Sequence, residues 1–133
     1  MITTENVLTW IKTLSTKPTN YYAGTLDSKK DKSFGVYPLK QGRARDIALG
    51  GLADTKTVTR GMSILIHWNT SSRESETAAV GLYANLENAT GATIGGKKVN
   101  YIELLNGEPI DVGTDDAGIH EWVIEFILHY ERS

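Results

Sequence analysis

From Ile119 to Tyr130 the chain alternates with a strict period of two, and no other feature restricts its fold so tightly. Trp122, Ile124, Phe126, Leu128 and Tyr130 fall on one side, while Ile119, Glu121, Val123, Glu125, Ile127 and His129 fall on the other. Only a β-strand with one buried face keeps such a stripe on one side. About 12 residues at about 3.4 Å each would make it about 40 Å long. A strand of that length is expected to outrun its own domain and to meet a neighbour. A second run, Val58 to Asn69, places Val58, Met62, Ile64, Ile66 and Trp68 on one face, with Arg60 the exception. The chain has 133 residues, 40% of them hydrophobic, so residues 1–133 are expected to form a single domain with a sizeable core.

Helical spacing appears twice. Val7, Leu8, Ile11 and Leu14 recur at that spacing after Thr4, so residues 4–15 read as a short amphipathic helix capped by Thr4 and closed by Pro18. Ala79, Leu82, Tyr83 and Leu86 do the same within residues 72–89, behind Ser71 or Ser72 as cap, with Glu74 and Glu76 in the first turn and Gly91 as the stop. Tyr21 to Leu26 and Phe34 to Leu39 are short β-favouring runs around the charged stretch 27–32, and are expected to form a hairpin. Gly35 and Pro38 place the second of them near a sheet edge. A polar, mostly basic connection over 40–46 leads to a weak strand at Ile47 to Leu52, and Val99 to Leu105 is expected to pair with the last strand. The fold class is α+β: a mainly antiparallel sheet with two helices packed on one face.

Most local chemistry can be set aside. Cysteine is absent, which removes disulfides, thiolate metal sites and cysteine nucleophiles. Gly91 to Lys98 nearly spells a phosphate-binding loop, but Lys98 stands where a Ser or Thr hydroxyl is needed, and the segment leaves a helix rather than entering one; it reads as a glycine-rich turn. Asp111 to Gly118 has acids without the alternation of a calcium loop and without its twelfth-position Glu. His67, His120 and His129 lie on expected strands with no partner at metal-ligand spacing, and they read as half-exposed strand histidines. His120, Glu121, Asp115 and Asp116 could approach a cation only by converging in space. No G-x-S-x-G elbow occurs, so neither an enzyme nor a cofactor is indicated. Met1 to Asn6 lacks the basic and apolar regions of a secretory signal, and no stretch approaches the roughly 20 apolar residues of a spanning helix. Synthesis in the cytoplasm and no membrane contact are expected.

Charge is distributed by region. The total is −2, too balanced for a general nucleic-acid binder. Residues 27–60 nevertheless carry eight basic against four acidic residues, and residues 103–132 carry eight acids against Arg132 alone. A basic and an acidic region on one domain allow head-to-tail association, which closes into a ring where the rotation permits. Lys40, Arg43 and Arg45 on the basic side, and Asp111, Asp115 and Asp116 on the acidic side, are the candidate interface residues.

Taken in order, Phe34-Gly-Val-Tyr-Pro38, Met62 to Trp68 leading into Glu76-Thr-Ala-Ala79 and Leu82-Tyr83, and Glu108 to Asp115 before Gly118 to Ile124 resemble one family over nearly the whole chain. It is that of the minor capsid or tail terminator proteins of long-tailed bacteriophages and prophages. The resemblance implies a virion structural protein without catalytic residues: a homohexameric ring that caps the tail tube, offers the surface for head attachment, and lets DNA pass in transit. The implied partners are further copies of the chain, the tail tube protein and a head-completion or connector protein. A head-completion role in the same particle is the nearest alternative, and a small ligand-binding regulatory domain is the alternative from another class.

Overall fold

The computed structural model describes residues 1–39 and 57–132. The basic connection over 40–46 and the weak strand expected at Ile47 to Leu52 lie outside the described residues, and so do Lys40, Arg43 and Arg45. The described elements run α1 (Thr4–Leu14), β1 (Asn20–Ala23), β2 (Ser33–Pro38), β3 (Thr57–His67), α2 (Ser72–Glu87), β4 (Thr93–Ile94), β5 (Lys97–Leu104), β6 (Ile110–Thr114) and β7 (His120–Glu131). The architecture is α+β, with a mostly antiparallel sheet in the order β1-β2-β3-β7-β5-β4 and β6 also paired to β7.

β7 is the spine of this sheet. Its alternating face Ile124, Phe126, Leu128 and Tyr130 is buried, as is the matching face of β3 with Val58, Met62, Ile64 and Ile66. The expectation that β7 outruns its domain is not met. β3 pairs with it all the way from His67↔Glu121 to Thr57↔Glu131, and on its other side β5 takes the C-terminal half and β6 the N-terminal half. A strand of 12 residues is stable inside the domain because two shorter strands share one of its edges. β6, between Leu105 and Ile119, is an element the periodicity did not signal: only Ile110 is partly covered and the remaining four residues are exposed, so it carries no apolar stripe.

The hairpin expected between the first two β runs is also corrected, since β1 and β2 pair in parallel, Asn20 with Ser33 through Ala23 with Val36. Gly24, at φ +80°, turns the chain off β1, and residues 25–32, polar apart from Leu26, carry it back to the end where β1 began. Lys32 anchors that return: it adopts a left-handed φ of 49°, its carbonyl accepts from the Thr19 and Asn20 N–H groups, and its own N–H donates to the Trp68 carbonyl. β2 lies between β1 and β3, one strand in from the border, so Gly35 and Pro38 stand near a sheet edge as expected and β1 forms that edge. Pro38 is tolerated there because Leu39 N–H donates to Gly61 on β3, so by alternation the Pro38 nitrogen faces the β1 side, past the point where β1 ends.

The helices start where local chemistry places them. The cap of α1 is Thr3 rather than Thr4: Thr3 Oγ1 accepts from Asn6 N–H at 3.1 Å while Asn6 Oδ1 accepts from Thr3 N–H at 3.0 Å, a reciprocal capping box. Ser71 caps α2, accepting from Glu74 N–H. Val7, Leu8, Trp10 and Ile11 of α1 and Ala78, Ala79, Leu82 and Leu86 of α2 join the strand residues in one core. α1 touches β1 and β2, and α2 touches β7, β3 and β5.

The glycine-rich segment is a turn, as expected, and it is tied to α1. Gly95 and Gly96, at φ +58° and +77°, form the two-residue loop between β4 and β5. A Cβ on Gly95 would lie 2.5 Å from Asn6 Oδ1, the atom that completes the capping box, whereas one on Gly96 would meet nothing. Gly96→Ala therefore carries only the left-handed backbone penalty, about 1 kcal/mol. Gly95→Ala adds displacement of Asn6 and should cost about 2–3 kcal/mol. Urea unfolding of the two variants checks this; equal losses would show that the turn does not bear on the cap.

Candidate assembly surfaces

The acidic residues singled out in the sequence fall on β6 and on the turn that follows it, but they are not equivalent. Asp111 Oδ1 accepts from Gly113 N–H at 2.9 Å, across a bulge where Gly113 takes φ +95°. Asp115 Oδ1 accepts from both Ala117 and Ile119 N–H at 2.9 Å, which closes the turn into β7. Asp116 is exposed. Asp111 and Asp116 thus present charge outward, while Asp115 is largely committed to the turn.

Asp115 also faces inward onto His67, which the sequence placed wrongly. His67 is not half-exposed: it is fully buried at the end of β3. Its Nδ1 lies 2.9 Å from Glu121 Oε2, its Nε2 3.1 Å from the Ser28 carbonyl oxygen, and the same Nε2 3.6 Å from Asp115 Oδ2. Glu121 is brought there by the β3–β7 register, which sets His67 opposite it. Four segments meet at this imidazole: the 25–32 return, the end of β3, the 115–118 turn and the start of β7. A buried ring must satisfy its nitrogens, and each here has an oxygen partner. Nearby, burial raises the Tyr37 hydroxyl above its ordinary value, and the Glu121 charge adds to that rise.

The arrangement suits a structural clamp rather than a metal. The carboxylates of Glu121 and Asp115 sit at different nitrogens of the ring, so the acids straddle the imidazole instead of converging on a common point. Among the described residues no group of three His, Asp or Glu side chains is placed to hold a metal ion. His120 contributes backbone bonds to Asn69 and Trp68. His129 is half-buried on the other side of β7, its Nε2 2.9 Å from Glu103 Oε1 and its ring 5.4 Å from that of Tyr101. Arg60, the exception on the core face of β3, reaches Thr4 Oγ1 at 3.4 Å, and its buried Nε has no hydrogen-bond partner among the described residues.

The two borders of the sheet differ in character. One is β1, with Lys12 Nζ lying 5.7 Å from the centre of the Tyr21 ring and Lys29 and Lys30 exposed on the adjoining return. The other is formed by β4, the rest of β5, and β6, and bears the exposed side chains of Tyr101, Leu105 and Val112 together with Glu108, Asp111 and Asp116. Beside β5, a cavity of about 180 Å³ opens between Leu86 and Ala89 of the α2 end and Val99 and Ile102. No helix is long and apolar enough to cross a membrane among the described residues. A family model described as bacteriophage tail terminator protein matches residues 1–132. No curated protein matches the chain.

Proposed function

Because the chain belongs to the bacteriophage tail terminator family, a structural and non-enzymatic family of virion proteins, we propose that it acts by forming a ring that caps the tail tube and offers the surface for head attachment. The match over residues 1–132 is the observation that carries this reading. Six copies in the ring, the tail tube protein on one face, a head-completion or connector protein on the other, and DNA passing through the centre complete it. Within that ring, Asp111, Asp115 and Asp116 on one side and Lys40, Arg43 and Arg45 on the other are the contact candidates; Asp115 acts chiefly by shaping the turn that presents its neighbours. Both helices cover the same face of the sheet in this reading, supported by the single core that their buried side chains share with Phe34, Ile64 and Phe126.

Light scattering on a sizing column, with negative-stain images and purified tail tubes, tests the function. The expected result is a ring-shaped oligomer that binds tube ends and halts tube growth. A chain that neither self-associates nor binds tube ends overturns the proposal.

A further inference from the structure

We propose that neighbouring copies of this chain join edge to edge, the β1 border of one lying along the β5–β6 border of the next, so that the sheet continues from copy to copy. The inference rests on the ring reading and names the surfaces that would build the ring.

Backbone direction shows that, among the described residues, both borders are open. Gly24 N–H donates to the Val36 carbonyl and Asn20 N–H to that of Lys32, so even-numbered residues of β1 face β2, and Tyr21 and Ala23 turn their N–H and C=O groups outward. At the other border Leu105 N–H donates to Glu125, so Tyr101 and Glu103 face β7, and Ile102 and Leu104 turn outward. Among the described residues β4 and the Ala92 carbonyl cover β5 from Lys97 to Val99, and β6 pairs with β7 alone. An open border that also carries Tyr101 at 59%, Val112 at 51% and Leu105 at 38% exposure is a template for strand addition.

Charge selects the partner. Residues 12–32, which contain and flank β1, carry five lysines (Lys12, Lys17, Lys29, Lys30, Lys32) against Asp27 and Asp31. Residues 101–116, which form the part of the opposite border beyond β4, carry five acids (Glu103, Glu108, Asp111, Asp115, Asp116) and no Lys or Arg, while Lys97 and Lys98 lie where β4 pairs with β5. Unlike borders attract and like borders repel, so the favoured occupant of either border is the opposite border of a second copy. Such a contact is heterologous: each copy uses both surfaces, and the assembly continues until rotation between copies closes it. With only the four residues of β1 available, the backbone contact is short and depends on the charges beside it.

Reciprocal charge reversal tests this. Lys29→Glu/Lys30→Glu leaves the β1 border with three lysines against four acids, and Glu108→Lys/Asp116→Lys leaves the opposite border with three acids against two lysines, so each removes most of the attraction; all four side chains are exposed and none makes a side-chain hydrogen bond among the described residues. Light scattering is run at low salt up to about 1 mM protein, where a contact with Kd of about 1 mM is substantially formed. The wild-type chain is expected to associate and to lose mass as salt rises, each variant alone to stay monomeric, and an equal mixture of the two to associate again, pairing the unaltered lysine border of one with the unaltered acidic border of the other. Amide exchange at Tyr21, Ala23, Ile102 and Leu104 should slow at least about tenfold on association. Variants that associate like the wild type, a mixture that stays monomeric, or unchanged exchange at those amides overturns the edge pairing while leaving the ring reading intact. A wild-type chain that is monomeric at about 1 mM also overturns it, and the tail-tube experiment then decides the ring reading separately.

Discussion

Phe126→Ala should destabilise the protein by about 3–5 kcal/mol, the usual cost of emptying an aromatic site in a core that cannot collapse around the gap. Phe126 is fully buried at the middle of β7, paired with Met62 on β3 and Leu104 on β5, and its ring meets the edge of Trp10 from α1 at 6.5 Å between centroids. The substitution therefore loosens three strands and a helix at once. Against a typical domain stability of about 5–15 kcal/mol, a loss of this size leaves little folded margin, and any assembly that needs the folded chain falls with it. Urea unfolding followed by circular dichroism measures the loss. Tyr101→Ala, at an exposed site, is the control and should change stability by less than about 0.5 kcal/mol. A cost for Phe126→Ala as small as the control's would mean that β7 is not the centre of the core.

His67→Ala should cost about 3 kcal/mol through a different mechanism. It removes a fully buried ring and leaves the Ser28 carbonyl and the Glu121 carboxylate without the partners they have at 3.1 and 2.9 Å. The effect should also be local in a way that the Phe126 lesion is not. Amide exchange should accelerate in the 28–32 return and the 115–119 turn, because the imidazole is where those two loops are held against the sheet end. Glu121→Gln keeps an acceptor opposite Nδ1 and should lose only about 1 kcal/mol. Unchanged exchange in both loops after His67→Ala would show that the ring fills space without clamping anything.

The contrast between these two residues marks how far the sequence could be read. Phe126 was identifiable as core from the chain alone, because its neighbours Ile124 and Leu128 repeat at the period of a strand. The burial of Val58, Met62, Ile64 and Ile66, the two helices and the Gly95-Gly96 turn were legible for the same reason: each is dictated by residues within a few positions of one another. His67 was not legible. Its partners stand far away in sequence, at Ser28, Asp115 and Glu121, and come together only through the register of β3 on β7. Nothing local distinguishes it from His129, which is half-buried against Glu103.

Pairing direction was hidden likewise. A polar stretch between two β runs suits a tight hairpin or a short return equally well, and the choice fell to Gly24, to the left-handed Lys32 and to the Trp68 carbonyl that receives its N–H. β6 carried no periodic signal because four of its five residues are exposed, and it exists as a strand because β5 leaves the first half of β7 uncovered. The sequence by itself determined the apolar faces of β3 and β7, the existence of both helices with the start of α1 placed to within a residue, and that the two ends of the chain's charge differ in sign, since each depends on nearest neighbours or on composition. Only the tertiary structure decided that β1 runs parallel to β2, that His67 joins four segments, and that the lysine-rich and acid-rich stretches border opposite edges of one sheet, because these follow from strand order and register, which contacts distant in sequence select.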